Sequence, residues 1–175
     1  EPQLADDFGT SHYLAQQPYY DAFFAEHGGG VAVAWESSRG CPFSCAYCDW
    51  GSSTMSRVRR FPMDRLLGEL DWFARSGVKV LFSVDSNFGM FKTDVDLTDA
   101  LVAARHAHDA PGFFVYSNAK NVPGRTVEIT RKLISAGLEA VHTLSVQHTD
   151  AAVLEAADRR NISVPKQMQV VRSLQ

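Results

Sequence analysis

Four alternations of a short apolar run with an amphipathic stretch predict an α/β fold on a parallel sheet. Three observations carry this. Residues 31–35, 78–84, 113–116 and 140–146 are apolar runs of strand length. Residues 63–76, 96–108, 126–136 and 151–159 separate or follow them with apolar side chains at helical spacing. Strands joined through helices pair in parallel, by crossovers of one hand. The third observation is that each strand runs into polar residues. The segment 40–51 follows the first, Asp85-Ser86-Asn87 the second, Asn118-Ala119-Lys120 the third, and Ser145-Val146-Gln147 closes the fourth. Barrel enzymes build their sites on the C-terminal ends of successive strands, so an arc of a β/α barrel is favoured over a doubly wound sheet.

Each element has its own signals. Residues 1–30 are polar, carry Pro18 and end in Gly28-Gly29-Gly30; they read as a lead-in segment or linker, with Tyr13, Tyr19, Tyr20, Phe23 and Phe24 to pack it onto a neighbour. The barrel portion is 31–175. Pro62 stands near a helix start, Leu66, Leu67, Leu70 and Phe73 share a face, and Gly77 closes that helix. Leu97, Ala100, Leu101 and Ala104 do the same for the second helix, and Gly137 ends the third. Asp150 caps the fourth helix, and residues 164–174 read as a fifth.

Composition narrows the function. With 175 residues, 45% of them hydrophobic, the chain suits one domain with a real core. Its formal charge of −3 offers no electrostatic case for nucleic acid. The densest basic run, Arg57-Val58-Arg59-Arg60, is a solvated loop or an anion contact. No apolar run approaches the roughly 20 residues of a membrane span. The sequence starts at Glu1 without Met, so the true N-terminus is expected to lie upstream.

The three cysteines, Cys41, Cys45 and Cys48, fall in a C-x₃-C-x₂-C spacing beside Gly40 and Pro42. Three thiolates this close can ligate three irons of a [4Fe–4S] cubane, leaving one iron open to a small molecule. An odd number of cysteines argues against a disulfide scaffold. Zinc in a Cys₃His site is the metal alternative, but His27 and His106 are not at ligand spacing. Buried core cysteines are the remaining alternative, and these rarely cluster in a Gly/Pro loop. Thiolates kept for a cluster favour a reducing, cytoplasmic compartment.

At this loop the chain resembles the radical S-adenosylmethionine superfamily. Residues 33–40, Asp49-Trp50-Gly51-Ser52, Asp85-Ser86-Asn87-Phe88-Gly89, Asn118-Ala119-Lys120-Asn121 and Leu144-Ser145-Val146-Gln147 are similar to its cobalamin-dependent branch. The ordered blocks run from about Tyr13 to about Ile162. The resemblance implies a partial (β/α)6 barrel, of which this chain would hold four units. A cobalamin domain before Glu1 and the last strands after Gln175 would complete the parent enzyme. It also implies that the open iron chelates the amino and carboxylate groups of S-adenosylmethionine, with Tyr47 against the adenine and Phe43 typical of the loop. The superfamily's Gly-Gly-Glu segment is replaced here by Ser83-Val84-Asp85-Ser86-Asn87. Asp85 and Asn87 would accept from the ammonium or line the substrate pocket. Asn118 and Lys120 end the third strand, where Lys120 can pair with the methionine carboxylate. Ser145 and Gln147 alternate on the fourth strand, so both face inward as candidates for ribose contacts. Trp50 shields the cluster loop, and His148 marks a substrate difference or a surface position.

The activity this resemblance implies is methyl transfer to carbon during antibiotic or peptide natural-product biosynthesis, using S-adenosylmethionine and cobalamin on a small-molecule or peptide substrate. The flanking segments look closest to natural-product C-methyltransferases, with a lean toward tryptophan C2 methylation in thiopeptide pathways. A peptide epimerase of the same superfamily is the enzymatic alternative. It would need a further cysteine as hydrogen-atom donor. A non-catalytic iron–sulfur domain is the other alternative, opposed by three ligands rather than four.

Overall fold

The chain runs through α1 (His12–Ala15), α2 (Gln17–His27), β1 (Ala32–Trp35), the short strands β2 (Ser38–Arg39) and β3 (Arg59–Arg60), and α3 (Met63–Arg75). It continues through β4 (Val80–Ser83), α4 (Thr93–His108), β5 (Phe113–Val115), α5 (Pro123–Ser135), β6 (Glu139–Val141), α6 (Ala151–Ala156) and α7 (Val164–Leu174). The computed structural model describes residues 8–51, 57–119, 121–141 and 145–174.

The four expected strands form one sheet in the order β1-β4-β5-β6, every pair parallel. A doubly wound sheet reverses its strand order at a switch point; this one steps in one direction, as a barrel arc does. Alternation along the strands buries Val33, Trp35, Leu81, Ser83 and Phe114 and leaves Ala32, Ala34, Phe82 and Phe113 on the other face. The buried face meets Leu66, Leu70 and Phe73 of α3, Leu97 and Leu101 of α4, and Ile129 and Leu133 of α5 in one core. Each such side chain contributes about 1.5–3 kcal/mol when fully buried. One face packed under helices and one face open is the wall of a barrel.

Helix ends follow local chemistry. Val78 N–H donates to the Phe73 carbonyl, and Gly77 sits at φ +72°, closing α3. Gly137, also at φ +72°, closes α5 in the same way. Asp150 caps α6, accepting from Ala152 and Val153 N–H at 2.8 and 3.2 Å.

Four expectations change. The lead-in is helical: Ser11 caps α1, and Pro18 sits in the first turn of α2, where its missing N–H costs nothing. Tyr13, Tyr20 and Phe24 pack on Trp72 of α3, whereas Tyr19 is 66% exposed. The buried Glu69 ties these parts together, accepting from Trp35 Nε1 at 3.0 Å, Arg65 Nε at 2.9 Å and the Ser11 hydroxyl. The basic run is not a free loop at its end, because β3 pairs antiparallel with β2 and Arg60 lies 4.7 Å from the centroid of the Phe91 ring. The helix expected over 151–159 stops at Ala156, since Asp158 takes a left-handed φ of +46°. The fourth strand is described as far as Val141, paired with Val115, and Ser145, Val146 and Gln147 are not in strand structure, so they lie outside the described ladder. Among the described residues, no helix is long and apolar enough to cross a membrane.

Candidate functional site

The cysteine loop leaves β1 and is fastened at its root by Asp85. Asp85 Oδ1 accepts from Ser37 N–H at 3.1 Å, the Ser38 hydroxyl at 3.0 Å and Ser38 N–H. Its Oδ2 accepts from Ser37 N–H at 3.2 Å, the Ser37 hydroxyl at 3.1 Å and the Ser83 hydroxyl at 2.7 Å. Burial pushes the Asp85 carboxyl up, and the bonds from Ser83, Ser38 and Ser37 pull it back. Both oxygens are engaged at the loop root, so this carboxylate anchors the loop, and the same residue also lines the cavity that the loop borders.

Beyond the anchor, Gly40 takes φ +107°, a region that side chains with a Cβ rarely enter. This turns the chain into the loop, and the Gly40 carbonyl accepts from the Ser86 hydroxyl at 2.6 Å. Cys48 N–H returns to the Cys45 carbonyl at 2.9 Å, folding the second half of the triplet into a turn. The three cysteines are free thiols, with Cys41 and Cys45 buried.

All three face one cavity of about 440 Å³. Its walls bring together most of the residues singled out in the sequence. Phe43, Tyr47 and Trp50 come from the cysteine loop; Asp85 and Asn87 follow β4; Asn118 follows β5; Ser145 lies after β6. Tyr47 is 54% exposed and Trp50 41% exposed, so both rings stand partly in solvent. Asn87 Nδ2 donates to Cys41 Sγ at 3.2 Å. An isolated parallel bridge between Phe88 and Asn118 holds the loops after β4 and β5 side by side, with Phe88 N–H on the Ser117 carbonyl and Ala119 N–H on the Phe88 carbonyl, each at 2.8 Å.

Gln147 is exposed and absent from the cavity wall, and residues 145–148 are not in a strand that would set an inward alternation. Val146 is 41% exposed. Lys120 lies outside the described residues. His106, His108 and His148 are exposed; His148 Nδ1 accepts from Asp150 N–H at 3.0 Å, a local turn contact.

One residue of the cavity wall had no signal in the sequence. Arg159 is only 5% exposed, and its Nη1 points to Cys45 Sγ at 3.8 Å. The early end of α6 puts it there. A basic pair at residues 159–160 otherwise reads as compensation for a helix C-terminus, and nothing local connects it with a cysteine 114 positions away.

The donor set can be tested against the group it suggests. A single zinc ion needs four donors converging at about 2.0–2.3 Å. Among the described residues, no three His, Cys, Asp or Glu side chains converge on one ion. Thiols spread around a common space, with N–H donors from Asn87 and Arg159 at two of the sulfurs, fit a thiolate-ligated cluster, whose properties depend on such hydrogen bonds.

Comparison with known proteins agrees with this geometry. The model of the Radical SAM superfamily matches residues 35–175. The chain belongs to this superfamily. It is 48% identical over 130 residues to the 2-(S-pantetheinyl)-carbapenam-3-carboxylate methyltransferase of Streptantibioticus cattleyicolor, covering 74% of this chain and 19% of that protein. It is 45% identical over 139 residues to the cobalamin-dependent radical SAM methyltransferase TokK of Streptomyces tokunonensis, covering 79% of this chain and 20% of that protein. The radical SAM methyltransferase TsrM of Kitasatospora setae, solved with cobalamin and a [4Fe–4S] cluster bound, superposes with a TM-score of 0.63 at 17% identity over 90% of this chain and 30% of that one. The last likeness is one of fold. The chain spans about a fifth of the length of the curated relatives it matches.

Proposed function

We propose that this chain is the [4Fe–4S]- and S-adenosylmethionine-binding core of a cobalamin-dependent C-methyltransferase of natural-product biosynthesis. The observation that carries the proposal is the convergence of Cys41, Cys45 and Cys48 with Asn87 and Arg159 on one cavity at the C-terminal ends of parallel strands. Identities of 45–48% to two methyltransferases, one of them named as cobalamin-dependent, support the reaction class.

In this account the three thiolates hold the cluster, and its open iron supplies a chelation point for S-adenosylmethionine while cobalamin supplies a methyl carrier. The chain's own residues bind, orient and exclude water. Asp85 holds the loop root rigid through Ser37, Ser38 and Ser83. Asn87 donates to the Cys41 sulfur. Tyr47 and Phe43 offer aromatic faces to the adenine, Asn118 and Ser145 offer polar groups to the nucleoside, and Lys120 serves the methionine carboxylate. Residues 31–175 form the barrel portion and 1–30 its lead-in. Cobalamin would be held mainly by other parts of the same parent enzyme, which are also this chain's partners. A reducing cytoplasm suits the free thiols.

The substrate is a small molecule. A carbapenam-type carboxylic acid is favoured over tryptophan, because the first rests on 48% identity and the second on a likeness of fold at 17%.

The test is incubation of the full parent enzyme with methyl-labelled S-adenosylmethionine, cobalamin and a carbapenam acid or tryptophan. Label is expected on cobalamin and then on a substrate carbon. Product formed at an undiminished rate without cobalamin would refute the branch.

A further inference from the structure

Arg159 carries a charge that the described protein does not neutralise. It is 5% exposed, and its Nε and Nη2 are buried with no hydrogen-bond partner. Its Nη1 donates to Cys45 Sγ at 3.8 Å. An isolated buried cation costs several kcal/mol unless an anion answers it. Removing a guanidinium from water and leaving two of its nitrogens unpaired is therefore a feature of a site built for negative charge.

The surrounding structure holds this side chain in place. Asp158, at φ +46°, ends α6 and reverses the chain. Arg159 N–H then donates to the Leu154 carbonyl at 2.8 Å. The same turn is tied to the cysteine loop, since Ala46 N–H donates to the Ala157 carbonyl at 3.0 Å and the Ser44 hydroxyl donates to the Asp158 carboxylate. The guanidinium carbon lies 5.9 Å from the centroid of the Phe43 ring, within the range of a cation–π contact. Arg159 lines both the main cavity and a second one of about 210 Å³, as do Phe43 and Cys45; Asn121 and Arg160 line the second.

We propose that Arg159 is a positioning residue for the iron–sulfur cluster: it donates to the Cys45 thiolate, presents its remaining N–H groups to the cluster's negative charge, and thereby raises the cluster's reduction potential. The proposal rests on the cluster assignment made above. The physical reason is direct. Reduction adds an electron to an already anionic thiolate-ligated group, and a fixed, buried positive charge with N–H donors on a ligating sulfur favours the more negative state. Because Arg stays protonated at any working pH, the effect does not depend on titration.

The experiment is a redox titration, followed by electron paramagnetic resonance, of the full-length reconstituted enzyme and its Arg159→Gln and Arg159→Lys variants. Iron and sulfide analysis, melting temperature and S-adenosylmethionine affinity are measured on the same samples. Arg159→Gln should retain its fold and cluster but be harder to reduce, with a reduced-to-oxidised ratio about tenfold lower at a fixed potential, which is about 59 mV for one electron. Arg159→Lys keeps the charge without the fork and should fall between. Equal potentials in wild type and Arg159→Gln, at equal cluster content, would overturn the proposal. So would an unchanged potential with weakened S-adenosylmethionine binding, which would assign Arg159 to the methionine carboxylate. If the wild type itself gathers no iron, the cluster assignment fails, and that outcome is read before any variant is compared.

Discussion

Replacing Asp85 by Ala should unfasten the cysteine loop while leaving the sheet intact. The carboxylate accepts from two backbone N–H groups and three hydroxyls, all within a buried pocket under the loop root. Alanine removes every one of these acceptors. The hydroxyls can rotate toward alternative acceptors; the Ser37 and Ser38 amides, which both donate to Oδ1, cannot. A buried N–H left unsatisfied costs about 1–3 kcal/mol, so the two together give a loss of about 2–6 kcal/mol. That is a large share of the roughly 5–15 kcal/mol that holds a domain together. Urea denaturation followed by circular dichroism measures it, and iron content after reconstitution reads the effect on the loop. Asp71→Ala serves as the control, because its pair with Arg75 is surface-exposed on both sides and should contribute under about 1 kcal/mol. If Asp85→Ala cost no more than Asp71→Ala, the anchor role would be refuted.

Three further outcomes follow from the packing. Glu69→Gln should destabilise by about 2–3 kcal/mol and expose α1 to proteolysis, because Glu69 joins Ser11, Trp35 and Arg65; a limited-proteolysis pattern like that of the wild type would contradict it. Gly89→Ala should cost about 1–3 kcal/mol, since Gly89 sits at φ +91° and a Cβ would meet Ile129 Cδ1 at 3.2 Å; a melting temperature equal to wild type would show that neither constraint matters. Burial raises the Tyr116 hydroxyl pKa, opposed by its bond to Thr130. The unfolded phenol therefore ionises first, near pH 10, and the folded state loses stability as pH rises above that value. Tyr116→Phe should flatten this alkaline decline in denaturation curves, leaving the part due to Tyr13, whose pKa burial also raises. An unchanged slope would refute the assignment.

Much of this was legible in the sequence because it is written locally. Strand and helix periodicity, Gly77 and Gly137 as stops, Asp150 as a cap and the C-x₃-C-x₂-C loop are all short-range signals, and the polar residues after the strands mark the open end of a parallel sheet. What escaped depends on chain reversals. Pro18 reads as a breaker until its place in a helical first turn is known. Gln147 reads as inward-facing only if it lies in the strand, and residues 145–148 do not. The anchoring role of Asp85 was not legible either, because it depends on Ser37 and Ser38 from a distant segment as well as on neighbouring Ser83. Arg159 owes its position to the left-handed Asp158, a conformation that glycine signals in a sequence and aspartate adopts only occasionally.

The most direct test of the central claim is anaerobic reconstitution of the chain with iron and sulfide, followed by metal analysis and electron paramagnetic resonance of the reduced protein with and without S-adenosylmethionine. About four irons and four sulfides per chain are expected, with a spectrum that changes on adding S-adenosylmethionine and is lost in the Cys45→Ala, Cys48→Ala double variant. Zinc in place of iron, or a wild-type spectrum retained in that variant, would contradict the account.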